Sequence, residues 1–242
     1  MEIALIVIML VLVGVLVWKK FIKARLNPGN AFIRTGRELE KIGRYQDALQ
    51  HYLLAEKEFR KTNMKAGIAK SLFLQGLIHK YNRKYEKAMK RFIEAEELCK
   101  EIGDRESLGH DYMCMGETRE VQERFEDAEF YMKNAVEIWK ELKMRDHYAY
   151  ANFRLGAVQR EIGKYEDAIE TYEKAYKVYK QNLHMENVSQ IYIDKAECKA
   201  RMGDTNAALE DLQHAEKLLN RAGSMDGVYE VKQRIKKLEA KC

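Results

Sequence analysis

From residue 31 onward the apolar positions follow a helical period, and the pattern recurs as a block at a fixed interval. In the first block Ala48, Tyr52, Ala55 and Phe59 are spaced 4, 3 and 4 apart, which puts them on one face of a helix. The last position of that face recurs as Phe59, Cys99, Trp139, Tyr179 and Leu219, an apolar packing column. Small residues make further columns. One is Ala48, Ala88, Ala128, Ala168 and Ala208, and a second is Ala55, Ala95, Ala135, Ala175 and Ala215. A third is Gly36, Gly76, Gly116 and Gly156, with Ala196 in the last block. Small side chains at these spacings let antiparallel helices approach closely. Breakers fall between the periodic stretches at Gly43, Asn63, Gly103-Asp104, Gly163, Gly203 and Gly223. The pattern predicts two helices of roughly 14 to 17 residues per block, short loops and no strand.

The ends of the chain break the period. At the C-terminus Met225, Val228, Val231, Ile235 and Leu238 make one apolar stripe, with Lys232, Arg234, Lys236 and Lys237 largely off it. The small column Ala69, Gly109, Ala149, Ser189 is broken there by Tyr229. An amphipathic terminal helix of this kind caps a repeat array and keeps it soluble. At the N-terminus Ile3 to Trp18 are sixteen consecutive uncharged residues, apolar except for Gly14. As a helix the run spans about 24 Å, against a hydrocarbon core of ~30 Å. Snorkelling of Lys19 and Lys20, with Trp18 at the interface, closes the gap. A cleaved signal peptide fits less well, because Glu2 is the only charge before the run and no small-residue cleavage site follows it. The basic cluster Lys19, Lys20, Lys23 and Arg25 lies wholly after the run, so an uncleaved anchor is expected with its N-terminus out and the body on the cytoplasmic side.

These features divide the chain into an anchor over 1–24, a linker over 25–30 holding the only proline, repeats over 31–224 and a capping helix over 225–242. The repeats run about 31–64, 65–104, 105–144, 145–184 and 185–224. Composition agrees: 46% hydrophobic and 33% charged residues suit a packed body rather than disorder. One proline excludes collagen-like and turn-dense all-β chains. A net charge of +5, with the signs interspersed, gives no case for nucleic acid. Four cysteines without CxxC spacing suit a reducing compartment. There the sequon at Asn187-Val188-Ser189 is silent.

Each of the first four blocks places a Gly in its first helix, an aromatic at the start of the second, and two alanines seven apart. Gly36, Tyr45, Ala48, Tyr52 and Ala55 show this order, as do Gly156, Tyr165, Ala168, Tyr172 and Ala175. The layout resembles the tetratricopeptide repeat family over about four-fifths of the chain. Two departures stand out. The period is 40 rather than the usual ~34, and Arg60, Lys100, Lys140, Lys180 and Asn220 occupy the site where a proline often ends the second helix. The period is similar to that of the long-repeat members, such as the Pins-type scaffolds and kinesin light chains. The fifth block is weaker, with Thr205 at the aromatic position.

The resemblance implies an all-α, right-handed α-solenoid of five helix-turn-helix repeats plus the capping helix, preceded here by the transmembrane helix. It implies a protein or peptide ligand bound in a concave groove lined by the first helix of each pair, and no enzyme. On that basis the groove positions are Ile33, Arg34, Arg37 and Glu40 in block one, and Lys70, Phe73, Leu77 and Lys80 in block two. Block three offers Met113, Glu117 and Glu120, and block four Tyr150, Phe153, Arg154 and Arg160. Some of these pack between helices instead if the register differs. Aromatics with Met give apolar contact and Arg pairs with carboxylates, which suits a segment carrying both acidic and apolar residues. The clamp with which some family members hold a chaperone's terminal carboxylate is missing, since Arg37, Leu74, His110 and Cys114 stand at its positions.

No catalytic, cofactor or metal pattern is found. The six histidines lack an i+4 partner histidine, and no HExxH, GxxxxGK[ST] or GxGxxG occurs. His110 and Cys114 supply only two ligands where zinc needs three or four. The expected role is a membrane-anchored scaffold or adaptor that recruits a protein at the lipid bilayer through residues 3–18. The alternatives are a self-assembling homo-oligomeric scaffold and a receptor component of a protein import or secretion machinery.

Overall fold

The computed structural model describes residues 27–240. The anchor expected at residues 3–18 lies outside these, and none of the described helices is long and apolar enough to cross a membrane. The described residues form eleven α-helices and no strand. They are α1 (Pro28–Lys41), α2 (Tyr45–Lys61), α3 (Lys65–Tyr81), α4 (Tyr85–Ile102), α5 (Arg105–Val121) and α6 (Phe125–Glu141). Then come α7 (Arg145–Glu161), α8 (Tyr165–Gln181), α9 (Met185–Arg201), α10 (Thr205–Ala222) and α11 (Met225–Glu239).

From α2 on the helices begin at one constant interval, at Tyr45, Lys65, Tyr85, Arg105 and so on to Met225. They are joined by the same turn throughout. The residue two before each next helix has a left-handed backbone. At Gly43, Gly103, Gly163, Gly203 and Gly223 the φ values run from 72° to 88°. At Asn63, Arg83, Glu123, Lys143 and Leu183 they run from 50° to 59°. The following amide then reaches back to a carbonyl in the last turn of the helix, as in Met64 N to Phe59 O at 2.9 Å and His184 N to Tyr179 O at 2.9 Å. This is the Schellman closure of a helix C-terminus. Four of these turns, at Arg83, Glu123, Lys143 and Leu183, carry no breaker residue. The backbone geometry of the repeat holds them in a region that costs a non-glycine residue about 1–2 kcal/mol.

The described residues divide into two compact units, one up to Ser107 and one from Leu108 on. In the first, α1 pairs with α2, α2 with α3, and α3 with α4. Its core holds Ile33, Tyr52, Phe59, Leu72, Leu74 and Ile78, with the alanines of both columns fully buried. The glycines are where these aromatics sit. A Cβ on Gly36 would lie 2.4 Å from the Tyr52 ring, on Gly67 2.4 Å from Phe59, and on Gly76 2.5 Å from Phe92. The start of α1 is pinned by Asn27, which accepts from the Gly29 amide at 2.8 Å and donates to Thr62 Oγ1 at 2.9 Å.

The second unit repeats the scheme from most of α5 to α11. A Cβ on Gly116 would meet Met132 at 2.7 Å, and one on Gly156 would meet Tyr172 at 2.7 Å. Trp139 fills the column that Phe59 fills in the first unit, lying against Gly109 and beside His110 and His147 at ring distances of 4.9 and 4.8 Å, with the two histidine rings 5.3 Å from each other. Buried Glu129 pairs with Lys133 and Lys164, each at 2.7 Å. Burial alone would raise its carboxyl pKa, but the two lysines outweigh it and hold the carboxyl below the usual range. At the C-terminal end Val228 and Val231 of α11 are buried with Ile193, Leu212 and Leu219, while Met225 and Tyr229 stay exposed.

Candidate functional site

The candidate site is the face made by the first helix of each hairpin. In the first unit these are α1 and α3, which touch along part of their length. Arg34 and Arg37 project from α1 and are exposed, and Lys70 is exposed on α3. No described carboxylate pairs with any of the three. Burial of the Lys70 stem, and then the like charge of Arg37, lower the lysine pKa. Phe73 and Leu77, on the same helix as Lys70, are half-buried on the hydrophobic cluster. The Phe73 ring is 5.8 Å from that of Phe92. Glu40 is engaged, accepting from the Tyr52 hydroxyl at 2.7 Å, and Ile33 is buried in the core.

In the second unit the corresponding residues bond to one another. Tyr150 on α7 donates its hydroxyl to Glu117 on α5 at 2.8 Å. Arg154 meets Glu120 at 2.5 Å and Glu117 at 3.5 Å, and donates to the Tyr150 hydroxyl at 3.1 Å. Its guanidinium also sits 5.9 Å from the Tyr150 ring centre. Burial works against the Arg154 charge, but Glu120, Tyr150 and Glu117 together raise its pKa further. Partial burial and then Glu117 push the Tyr150 phenol up, so it stays a neutral donor. Further along α7, Arg160 reaches Asp194 at 2.7 Å and Glu197 at 3.4 Å on α9. Asp194 is buried, which pushes its carboxyl up despite the arginine. Phe153 packs on the core, its ring 6.0 Å from Tyr172. Met113 is buried, so it serves packing and offers a partner no surface.

The structure thus brings Glu117, Tyr150 and Arg154 together, and separately leaves Arg34 and Arg37 exposed on α1 and Lys70 exposed on α3, the helix that carries Phe73 and Leu77. Asp194 and Glu197 on α9 were not among the sequence candidates. Their signal is an offset between opposite charges. Asp194 lies as far after Arg160 as Glu120 lies before Arg154, and Glu197 as far after Arg160 as Glu117 lies before Arg154. Among the described residues no group of three or more His, Cys, Asp or Glu side chains is placed to hold a metal ion.

A tetratricopeptide repeat family model matches residues 111–181. That stretch runs from α5 to α8 and contains the Glu117–Tyr150–Arg154 cluster. No curated protein matches the chain. Similar folds occur among solved structures. BtubC from P. vanneervenii is 18% identical with a TM-score of 0.70, covering 78% of each chain. A Podosopora anserina putative kinesin light chain with nearly identical TPR-like repeats is 13% identical with a TM-score of 0.68, covering 81% of this chain and 97% of that one. A Rap protein complexed with Competence and Sporulation Factor is 15% identical with a TM-score of 0.62, covering 90% of this chain and 65% of that one. At these identities the likeness is one of fold alone.

Proposed function

We propose that the chain is a protein–protein interaction scaffold, held at a membrane by residues 3–18 with its repeats on the cytoplasmic side. Its ligand is an acidic, partly apolar segment bound on the first-helix face. The carrying observation is that Arg34 and Arg37 on α1 and Lys70 on the neighbouring α3 are exposed cations without carboxylate partners among the described residues, with Phe73 and Leu77 half-buried on the same helix as Lys70, since uncompensated like charges favour an anionic ligand. The apolar pair beside them supplies the buried contact that makes binding last. The tetratricopeptide repeat match and the Rap-like fold, solved in complex with a factor, support a protein or peptide ligand. Anchoring confines the face to a surface and raises the effective concentration of membrane-bound partners.

The test is mild detergent extraction of the full chain from native membranes, followed by affinity purification and mass spectrometry. Wild type is compared with Arg34→Glu/Arg37→Glu and with Phe73→Ala. A partner recovered with wild type and lost with both variants, while their circular dichroism is unchanged, supports the reading. A partner retained by both variants removes the face from the mechanism. Deleting residues 2–24 tests the anchor separately, since the chain should then leave the membrane fraction in alkaline carbonate. A second reading, self-assembly through α11, draws on exposed Met225 and Tyr229. It predicts large particles containing only this chain.

A further inference from the structure

A cavity of about 570 Å³ lies between α8, α9 and α10. That volume falls within the ~300–1,000 Å³ range of ligand pockets. Met185, Val188 and Leu218 make its apolar wall. Tyr192 stacks on His214, ring centres 5.3 Å apart and 14° from parallel. Tyr192 also meets Tyr176 edge-on at 5.7 Å and donates to its hydroxyl at 3.4 Å. Around the aromatic floor stand three cations, Lys180 on α8 and Lys217 and Arg221 on α10, and no carboxylate lines the space. Lys180 lies 5.2 Å over the Tyr176 ring. Lys217 and Arg221 have no ion-pair partner among the described residues. The Tyr192 hydroxyl and then Lys180 hold the Tyr176 phenol below its usual pKa.

The opening has a cause in the sequence. In the preceding hairpin, one full repeat earlier, Arg145 on α7 bonds Gln181 on α8 across the corresponding mouth, and Asn182 donates to Asp146 at 2.6 Å. The first unit closes the same place with the Lys65–Glu101 ion pair between α3 and α4. In the last hairpin these positions hold Met185 with Arg221 and Glu186 with Ala222, which bond neither way. Tyr148, which packs on the core of the second unit, is replaced by the smaller Val188.

We infer that this cavity is a second binding site, distinct from the first-helix face, which takes a bulky apolar side chain flanked by carboxylates from an acidic segment of a partner protein. The aromatic and aliphatic walls receive the apolar group. Cations on opposite helices, α8 and α10, match carboxylates on both sides of it, which one small acid cannot do. Because the rim charges are exposed, binding weakens as salt shortens the reach of their field.

The test uses the full chain in detergent micelles and fluorescence anisotropy of a labelled Glu-Glu-Phe-Glu-Glu peptide, with Glu-Glu-Ala-Glu-Glu and 3-phenylpropionate as comparisons. The expected result is about tenfold weaker binding when Phe becomes Ala in the peptide. A similar loss is expected for Met185→Arg/Arg221→Gln, which restores the residues that close the preceding hairpin. Lys217→Glu, at an exposed position, gives an independent charge reversal should the double variant melt early. All binding is read in the Arg34→Glu/Arg37→Glu background, which removes the first-unit cations from the first-helix face and touches no residue lining the cavity. Equal binding of the Phe and Ala peptides overturns the proposal, as does binding untouched by both folded variants. So does a 3-phenylpropionate affinity matching that of the Phe peptide, which would make the cavity a site for a small aromatic acid.

Discussion

The two units build their first-helix faces from the same positions and leave them in opposite electrical states. In the first unit Arg34, Arg37 and Lys70 find no carboxylate among the described residues. In the second, Arg154 is held by Glu117 and Glu120, and Arg160 by Asp194 and Glu197. An anionic ligand meets uncompensated cations on the first face. On the second it must displace carboxylates already in place, and the desolvation already incurred at Arg154 would have to be matched. The same repeat geometry therefore yields one face ready for a partner and one whose polar groups stiffen the stack.

The comparison can be broken most forcefully through what the units share. Gly76→Leu in the first unit and Gly156→Leu in the second each drive a side chain into an aromatic ring. Each should destabilise its unit by about 3 kcal/mol in chemical denaturation. Loss in only one unit would show that the packing columns are not equivalent. Next in size is Arg154→Ala, which takes the arginine from Glu120 and leaves Glu117 on the Tyr150 hydroxyl, and should cost about 1.5 kcal/mol. Arg34→Ala/Arg37→Ala should change stability by no more than about 0.5 kcal/mol. Equal losses at the two faces would erase the distinction.

Acid sharpens it further. His79 belongs to the first unit, its Nδ1 is buried with no partner, and Lys84, Lys87 and Arg91 stand near it. Burial first, and then these cations, hold its folded pKa below the unfolded value of ~6.5. The folded state thus binds fewer protons in that window. Its contribution to stability is complete above the unfolded pKa and is lost as pH falls through that value toward the folded one. Melting temperature should drop as pH falls below about 6.5, and His79→Gln, the residue found at Gln159, should flatten the drop. The smallest effect is a gain. Leu183→Gly relieves an exposed left-handed residue at φ 59° and should stabilise by about 0.5 kcal/mol in a thermal melt.

Much of this architecture was legible in the chain, for a reason tied to repetition. Helix faces and the Gly and Ala columns recur in every block, so chance matches average out and Gly36 or Ala128 can be read as a close contact. The turns at Arg83, Glu123, Lys143 and Leu183 were not, because residue-by-residue turn chemistry assigns left-handed backbone to Gly and Asn. Only the constant interval between helix starts could have pointed to them. At the candidate site the pattern named Arg154, Glu117 and Tyr150 as members of one face but not their mutual bonds. Those depend on how far one hairpin rotates over the next, which spacing alone does not carry. Met113 shares the helix with Glu117 yet points inward, and that single helical step decides between packing and display.

The uniform joints carry a mechanical consequence. From α2 on, each helix with its turn takes up the same length of chain and closes in the same way. A pull along the chain would meet a series of equal links, each releasing about 70 Å of extended contour. Force-extension traces of the repeats should show evenly spaced increments of one or two links, and a glycine in place of Leu183 should change the height of a single step without changing its length.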